Sequence, residues 1–524
     1  MHYNPDRLTI KSGVHLMTKI LPFQNELQGI LPVVVGSIDY NNFKTLLFRI
    51  AELIELSGIE KQAIQYILDE TIQDGLRSAK EEGKTATPLS KQMQISIQEK
   101  VRLAIRVTIA RKITQQAYRP FSVRLAESQL LQHFCLIDRI DKIKVPSKST
   151  LERYEKMFPE NIIREMNTIL LKAAISSEKE TEENRLKLEE SISLDEYFAD
   201  STAVKANIHY PVDWVLLRDA TRTIMKAVKL IRDQGLKNRM DEPVEFIKSI
   251  NKLCIEMTHT KGKKDSKKKR KQIYRLMKRL IRKVALHGLR HQEKLKNRWQ
   301  ETKLTKKEAD LIIARIENIL TQLPEAVRQG HERIIGERLI KNNEKILSLY
   351  DKDIHVIVRG KAGAKIEFGN TLFLAEQADG LILDWKLYQD KVPADSKILK
   401  ESIERLEEEY DNYTPESATT DRGFFSKTNQ KYLEKKGIKD YMCPRSVSEL
   451  KERLQEDDFC EHQKRRAQTE GRIGIIKNSF LGNPSKGKSF NSRSLSTAWS
   501  VLSHNLWVLA RLPAADFQKK EKAA

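Results

Sequence analysis

DIHVIVRGKAGAKIEFGNTLFLAEQADGLILDWKLY, residues 353–388, is where the hydrophobic period of the chain changes from that of a helix to that of a strand. Three short β-rich runs, DIHVIVRG, GNTLFLAEQ and DGLILDWKLY, are separated by glycine-containing turns, which predicts an antiparallel meander. Downstream, SKILKESIERLEEEY predicts a helix, SATTDRGFF ends a further strand, KTNQKYLEKK is a helix and GIKDYMCP another strand. An apolar helix, STAWSVLSHNLWVLARL, closes the pattern. Strands first, then strand alternating with helix, predicts a mixed α+β fold with helices on the faces of a mixed sheet.

Upstream the text is helical. Residues 45–175 place apolar residues three and four apart, as in LLFRIAELIELSGIEKQAIQYIL. Within them, RLAESQLLQHFCLIDRI, the turn KVPSKST and LERYEKMF read as helix, turn, helix over 124–158, with Ser149 and Glu152 forming a capping box. That pair suits a helix-turn-helix whose second helix enters the major groove, and equally an ordinary helical hairpin. SSEKETEENRLKLEES (176–191) is acidic, lacks a sustained apolar stripe and reads as a linker or exposed helix. SLDEYFADSTAVKANIHYP reads as a strand ending near Pro211. Residues 215–350 are helical again. The expected organisation is an N-terminal segment 1–44, a helical DNA-binding domain 45–175, the linker 176–191, a core made of 192–214 and 351–512, an insertion 215–350 and a tail 513–524.

The formal net charge is +22, and it is concentrated. Lys261 to Arg298 holds 17 Lys and Arg against Asp265 and Glu293, a net of +15. Such a cluster is the footprint of a polyanionic partner, most often nucleic acid. KGKKDSKKKRK is too like-charged to pack and is expected as a loop, which makes Lys267, Lys268, Lys269, Arg270 and Lys271 candidate phosphate contacts. In the following helix Ile273, Leu276, Met277, Leu280, Ile281 and Val284 share one face, leaving Arg275, Lys278 and Arg279 for DNA. No stretch is long and apolar enough for a membrane span, and MHYNPDRLTIKSG lacks signal-peptide grammar. The four cysteines form no CxxC pair and read as reduced thiols of a cytoplasmic protein.

The chemistry concentrates in RRAQTEGRIGIIKN, residues 465–478. On a helix with Arg466 at 0°, Glu470 falls at about 40° and Lys477 at about 20°, so one stripe offers a carboxylate between two cations. Gly471 and Gly474 weaken the helix and let another backbone, or DNA, come close. The plain alternative is an Arg466–Glu470 ion pair one turn apart, which accounts for neither Lys477 nor the glycines. Two-metal phosphodiester chemistry needs further acids held rigidly at strand ends, and Asp200 in YFADST and Asp421 in ATTDRGF suit that role. Asp213, Asp219, Asp384 and Asp395 suit caps, turns and surface positions better.

Asp200-Ser201-Thr202, Asp421-x-Gly423-Phe424 and Arg466-x3-Glu470-x6-Lys477, in that order, resemble the catalytic signature of DDE transposases from bacterial insertion sequences. ANIHYPVDWVLLRDATR, RGKAGAKIEFGNTLFLAEQADGLILD and NLWVLARL resemble neighbouring segments of that family, so the likeness spans roughly 195–510. One departure is Gln463, where many relatives carry tyrosine three residues before the arginine. The resemblance implies a ribonuclease-H-like core with Asp200 on its first strand, Asp421 on a neighbouring strand and Glu470 on the following helix. It implies two magnesium ions, or manganese in their place, held by Asp200, Asp421 and Glu470. It further implies cleavage at the terminal inverted repeats of a transposon, strand transfer into target DNA, and a homodimer on double-stranded DNA. Arg466 and Lys477 would hold DNA near the cleavage point. The rival readings are a related nuclease and a non-catalytic DNA-binding protein descended from a transposase.

Overall fold

The computed structural model describes residues 31–83, 88–139, 142–175, 184–260, 265–361, 364–390, 392–411 and 413–515. Before the sheet come α1 (Ile38–Ser57), α2 (Ile59–Glu81), α3 (Lys91–Ile113), α4 (Tyr118–Glu127), α5 (Gln129–Phe134), α6 (Lys148–Glu155) and α7 (Glu160–Ile175). Strand β1 (Glu196–Lys205) leads into α8 (Asp213–Asp233), α9 (Pro243–His259), α10 (Ser266–Arg298) and α11 (Lys306–Ile334). The meander follows as β2 (His355–Lys361), β3 (Ala364–Glu376) and β4 (Ile382–Leu387). Then come α12 (Asp395–Glu409), β5 (Ser417–Thr420), α13 (Lys427–Lys436), β6 (Lys439–Asp440), α14 (Val447–Arg453), α15 (Asp457–Ile475), a π-helical turn (Ile476–Leu481) and α16 (Phe490–Leu509).

The six strands form one mixed sheet in the order β2-β3-β1-β5-β6, with β4 beside β2 on the far side of the long β3. The meander is antiparallel, as its glycine turns predict, while β1, β5 and β6 run parallel. Antiparallel strands close through short turns. The parallel neighbours β5 and β6 are joined through α13, as parallel pairing requires.

One set of buried apolar side chains runs from Leu47 of α1 through Trp385 of β4 to Leu509 of α16, so the N-terminal helices and the sheet share a core. Helix α7 is tied to the sheet by charge as well. Asp384 of β4, fully buried, accepts from Arg164 of α7 at 2.9 Å, from Arg405 of α12 at 2.7 Å and from Ser402 at 2.6 Å. Residues between β1 and β2 carry cores of their own, with Ile224, Ile281 and Ile319 in one and Ile231, Leu295 and Ile316 in another.

Several local expectations give way. The segment expected as one helix before the KVPSKST turn is α4 and α5, separated at Ser128, and α6 is capped by Ser147, not Ser149, through Thr150 N at 3.4 Å. The chain between α5 and α6 is therefore longer than a helix-turn-helix turn. The strand before Pro211 ends at Lys205. Helix α10 begins at Ser266, inside the run expected as a loop: a face of apolar residues against α8, α9 and α11 outweighs the repulsion among its lysines. Lys261–Lys264 lie outside the described residues, as do 176–183 of the acidic segment. In its remaining part Leu186 and Leu188 are buried, and Leu188 bridges to Ala514, so this stretch is anchored and not an exposed linker. No helix among the described residues is long and apolar enough to cross a membrane.

Candidate active site

Strand register brings the first two acids together. The parallel pairing of β1 with β5 sets Ala199 opposite Thr420. The next residues are Asp200, still on β1, and Asp421, just past the end of β5, where the two strands run about 4.8 Å apart. In-register residues of parallel strands project from the same face of a sheet. Helix α15 packs on β1 and β5 across that face.

The alternation of β1 then orders the contacts. Phe198, Asp200 and Thr202 share a face. Over Phe198 lie the guanidinium of Arg465, 4.6 Å from the ring, and the stacked ring of His462. Against Asp200 lie the charges of Arg466 and Glu470. Thr202 receives a hydrogen bond from Lys477 Nζ at 3.2 Å. Residues 462 to 477 thus meet the strand in the order of their numbers. Lys477 is not on the α-helix that a uniform 100° spacing supposes, since the backbone becomes π-helical at Ile476, yet its side chain still reaches β1. Ile476, off the polar stripe, is buried, and Ile475 is half-buried.

The Asp200 carboxyl shows the electrostatic result. Burial first, then the charge of Asp421 and more weakly that of Glu470, push it up to about 6, against the Ser201 amide and Arg466. Asp200 Oδ1 accepts from Ser201 N at 2.7 Å, and Asp421 Oδ1 accepts from Gly423 N at 2.9 Å. The Asp421 turn is held from outside by Arg445, which donates to the carbonyls of Arg422 and Gly423 at 3.0 and 2.9 Å. At Gly423 a β-carbon would come within 2.5 Å of an Asp395 carboxylate oxygen, so a larger residue there would push the Asp395 side chain aside.

Asp395, expected only to cap or line a turn, does lie in the first turn of α12, but it also stands beside Asp421. Burial and then the Asp421 charge raise its carboxyl. Sequence spacing carries no signal for this neighbour, because the 25 positions between them form a helix and a strand.

A second carboxylate fixes α15. Buried Glu376, at the end of β3, accepts from Arg465 at 3.1 Å, Thr469 at 2.8 Å and Arg472 at 3.3 Å. Those three donors sit four and three residues apart, one helical stripe beside the Arg466–Glu470 stripe, and that spacing is legible in the sequence. Gly380, at φ +84°, completes the clamp: a β-carbon would strike the Arg472 guanidinium. Gly471 and Gly474 face open space among the described residues, which leaves room for an incoming backbone.

The donor set of Asp200, Asp421 and Glu470 is the hard carboxylate oxygen that magnesium selects, and a cation would relieve the mutual repulsion that raises Asp200. By chemistry the residues suit the ion. Among the described residues, no group of three or more His, Cys, Asp or Glu side chains is disposed closely enough to hold a metal.

All the candidate DNA contacts of the basic cluster lie on α10, and they divide in two. Lys267 and Lys271 pair with Glu337 at 3.2 and 2.8 Å, Arg270 stacks on Trp214, and Lys278 approaches His331 at 3.4 Å. Lys268, Lys269, Arg275 and Arg279 are exposed and carry no ion pair among the described residues. No family model, no curated protein and no solved structure matches the chain.

Proposed function

We propose that this chain is a DNA transposase of the DDE type, which cuts DNA at the ends of a mobile element and joins the freed 3′ ends to a target. The core would be ribonuclease-H-like, interrupted after its first strand by the basic helices α8 to α11. The observation that carries the reading is the register that sets Asp200 beside Asp421, with Glu470 facing them from α15. Asp200, Asp421 and Glu470 would hold two magnesium ions, or manganese. When bound, such ions lower the pKa of an attacking water or hydroxyl and offset charge on the phosphate.

The remaining roles belong to the chain itself. Arg466 and Lys477 flank the acids along the same face and suit a DNA phosphate on either side of the cleaved bond. The clamp on Glu376 keeps α15 at a fixed height over β1, so the third carboxylate is positioned before DNA arrives. The unpaired cations of α10 would hold duplex DNA through phosphates, with affinity that falls steeply with salt. Synapsis of two element ends calls for two copies of the chain on double-stranded DNA, in the bacterial cytoplasm at the nucleoid.

The test is strand cleavage on a plasmid that carries the gene with its native flanking DNA. Asp421→Ala should lower the rate by about 10³-fold or more while DNA binding survives. A second reading, a non-catalytic DNA-binding protein of the same descent, is favoured by the lack of a metal-ready acidic group among the described residues. It predicts that Asp421→Ala changes no activity. A nuclease diverted to another role would cut without preference for inverted repeats.

A further inference from the structure

Gln463 occupies the first turn of contact between α15 and the strand ends, and every polar atom of its amide is engaged. Its Nε2 donates to the carbonyl of Tyr441 at 2.6 Å and, at 3.4 Å, to that of Thr420, the residue directly before Asp421. Its Oε1 accepts from Arg466 Nε at 3.1 Å. With two carbonyls on one side and an N–H on the other, only one orientation of the amide satisfies all three partners. The same side chain therefore touches the backbone that presents Asp421 and the guanidinium that stands against Asp200.

The consequence lies in what is left of Arg466. Gln463 takes the Nε hydrogen, and among the described residues Nη1 and Nη2 carry no hydrogen bond. Held through Gln463, whose amide also reaches the carbonyl of Thr420, the guanidinium lies near the backbone that leads into Asp421. Two parallel N–H groups from one guanidinium edge are the geometry that binds a phosphate through two oxygens. An arginine without that anchor would have to be ordered by the DNA at the moment of reaction.

We propose that Gln463 is a positioning residue that presets Arg466, in fixed relation to Asp421, to receive the phosphate being cut. The inference rests on the transposase reading. It assigns a role to the one position that departs from the sequence pattern, and a side chain of either sign or without polar atoms could not fill it. Glutamate would face two carbonyls with oxygen, and lysine would face the guanidinium with a like charge.

The experiment is cleavage kinetics on the supercoiled plasmid bearing the gene and its native flanks, with manganese present. Gln463→Ala, Gln463→Met, Arg466→Ala, the Gln463→Ala/Arg466→Ala double variant and Asp421→Ala are compared. Met retains the volume of Gln and removes only its hydrogen bonds, so a folding defect of the alanine variant does not decide the result. The expected outcome is a roughly tenfold to thirtyfold loss in kcat for either Gln463 variant, with KM for the plasmid unchanged. In the Arg466→Ala background the same change should cost less than about threefold more, because its effect passes through Arg466. Effects that multiply in the double variant, or a loss confined to KM, would overturn the role of Gln463 and leave the transposase reading standing. Cleavage that persists in Asp421→Ala would bring down that reading, and this inference with it.

Discussion

Asp200 and Asp384 are acids of the same sheet, on strands that flank β3, and their surroundings are opposite. Asp384 is sealed among Arg164, Arg405 and Ser402; burial pushes its carboxyl up, but the two guanidinium groups outweigh it and hold it below the ordinary carboxylate range. Asp200 has a backbone amide and the charge of Arg466 in its favour, and burial with the charges of Asp421 and Glu470 against it. The first arrangement is complete within the chain. The second has no such partner and would gain from a cation brought from outside. A fold can tolerate the second kind where chemistry needs it, and it then gives up stability there. The basic helix repeats the contrast at its surface: Lys267 and Lys271 are answered by Glu337, while Lys268, Lys269, Arg275 and Arg279 are exposed and carry no ion pair among the described residues.

The contrast can be broken at its complete end first. Asp384→Ala leaves Arg164 and Arg405 without their buried partner and should cost about 3–5 kcal/mol, read as a lowered midpoint in denaturant unfolding. A loss below about 1 kcal/mol would show that water or Glu409 answers the arginines.

At the incomplete end the sign reverses. In the fold Asp200 titrates at about 6, above its ordinary value, because burial and like charge favour the protonated form. Below about pH 4 the group is protonated in the folded and unfolded chains alike and contributes nothing. As pH rises from there to 6, the folded chain keeps a proton that the unfolded chain has released, and stability falls. Asp200→Asn should therefore stabilise the chain by roughly 1–3 kcal/mol at pH 8, after allowance for solvent at a half-buried site, and should lose that gain toward pH 4. Thermal unfolding of both proteins across this range, without divalent ions, measures it. The same substitution should abolish cleavage.

The smallest effect sharpens the surface half of the comparison. Replacing Lys268, Lys269, Arg275 and Arg279 together by alanine should reduce the slope of log affinity against log salt by roughly 3, with little preference among duplex sequences. Replacing the paired Lys267 and Lys271 should change it less, because Glu337 already answers them.

How much of this was legible follows from where the signals lie. The meander was, because its alternation and glycine turns are local properties of 353–388. The spacing of Arg466 and Glu470 was legible too, since residues four apart share a helical face, but Lys477 lies past the end of α15 on a π-helical turn that uniform spacing does not foresee. Local signals also misled. Ser149 and Glu152 fit a capping box by spacing, but the cap lies two residues earlier at Ser147. The lysines after Ser266 look like a loop until the apolar face opposite them is buried by three other helices. Asp395 beside Asp421, Arg445 on the Asp421 turn and the link from Gln463 to Thr420 are products of strand register and helix packing. No sequence period encodes those. The Arg465, Thr469 and Arg472 stripe is the exception: its spacing was visible, and only its target, Glu376, was not.

The central claim is that Asp200, Asp421 and Glu470 form one cation-binding centre. Manganese titrated against the folded chain in the presence of duplex DNA, with binding followed by the loss of its free-ion magnetic resonance signal, tests this without requiring catalysis. The account predicts saturable binding that Asp200→Asn, Asp421→Asn and Glu470→Gln each weaken by about tenfold or more. Binding that is the same in all three variants as in the parent chain would contradict it.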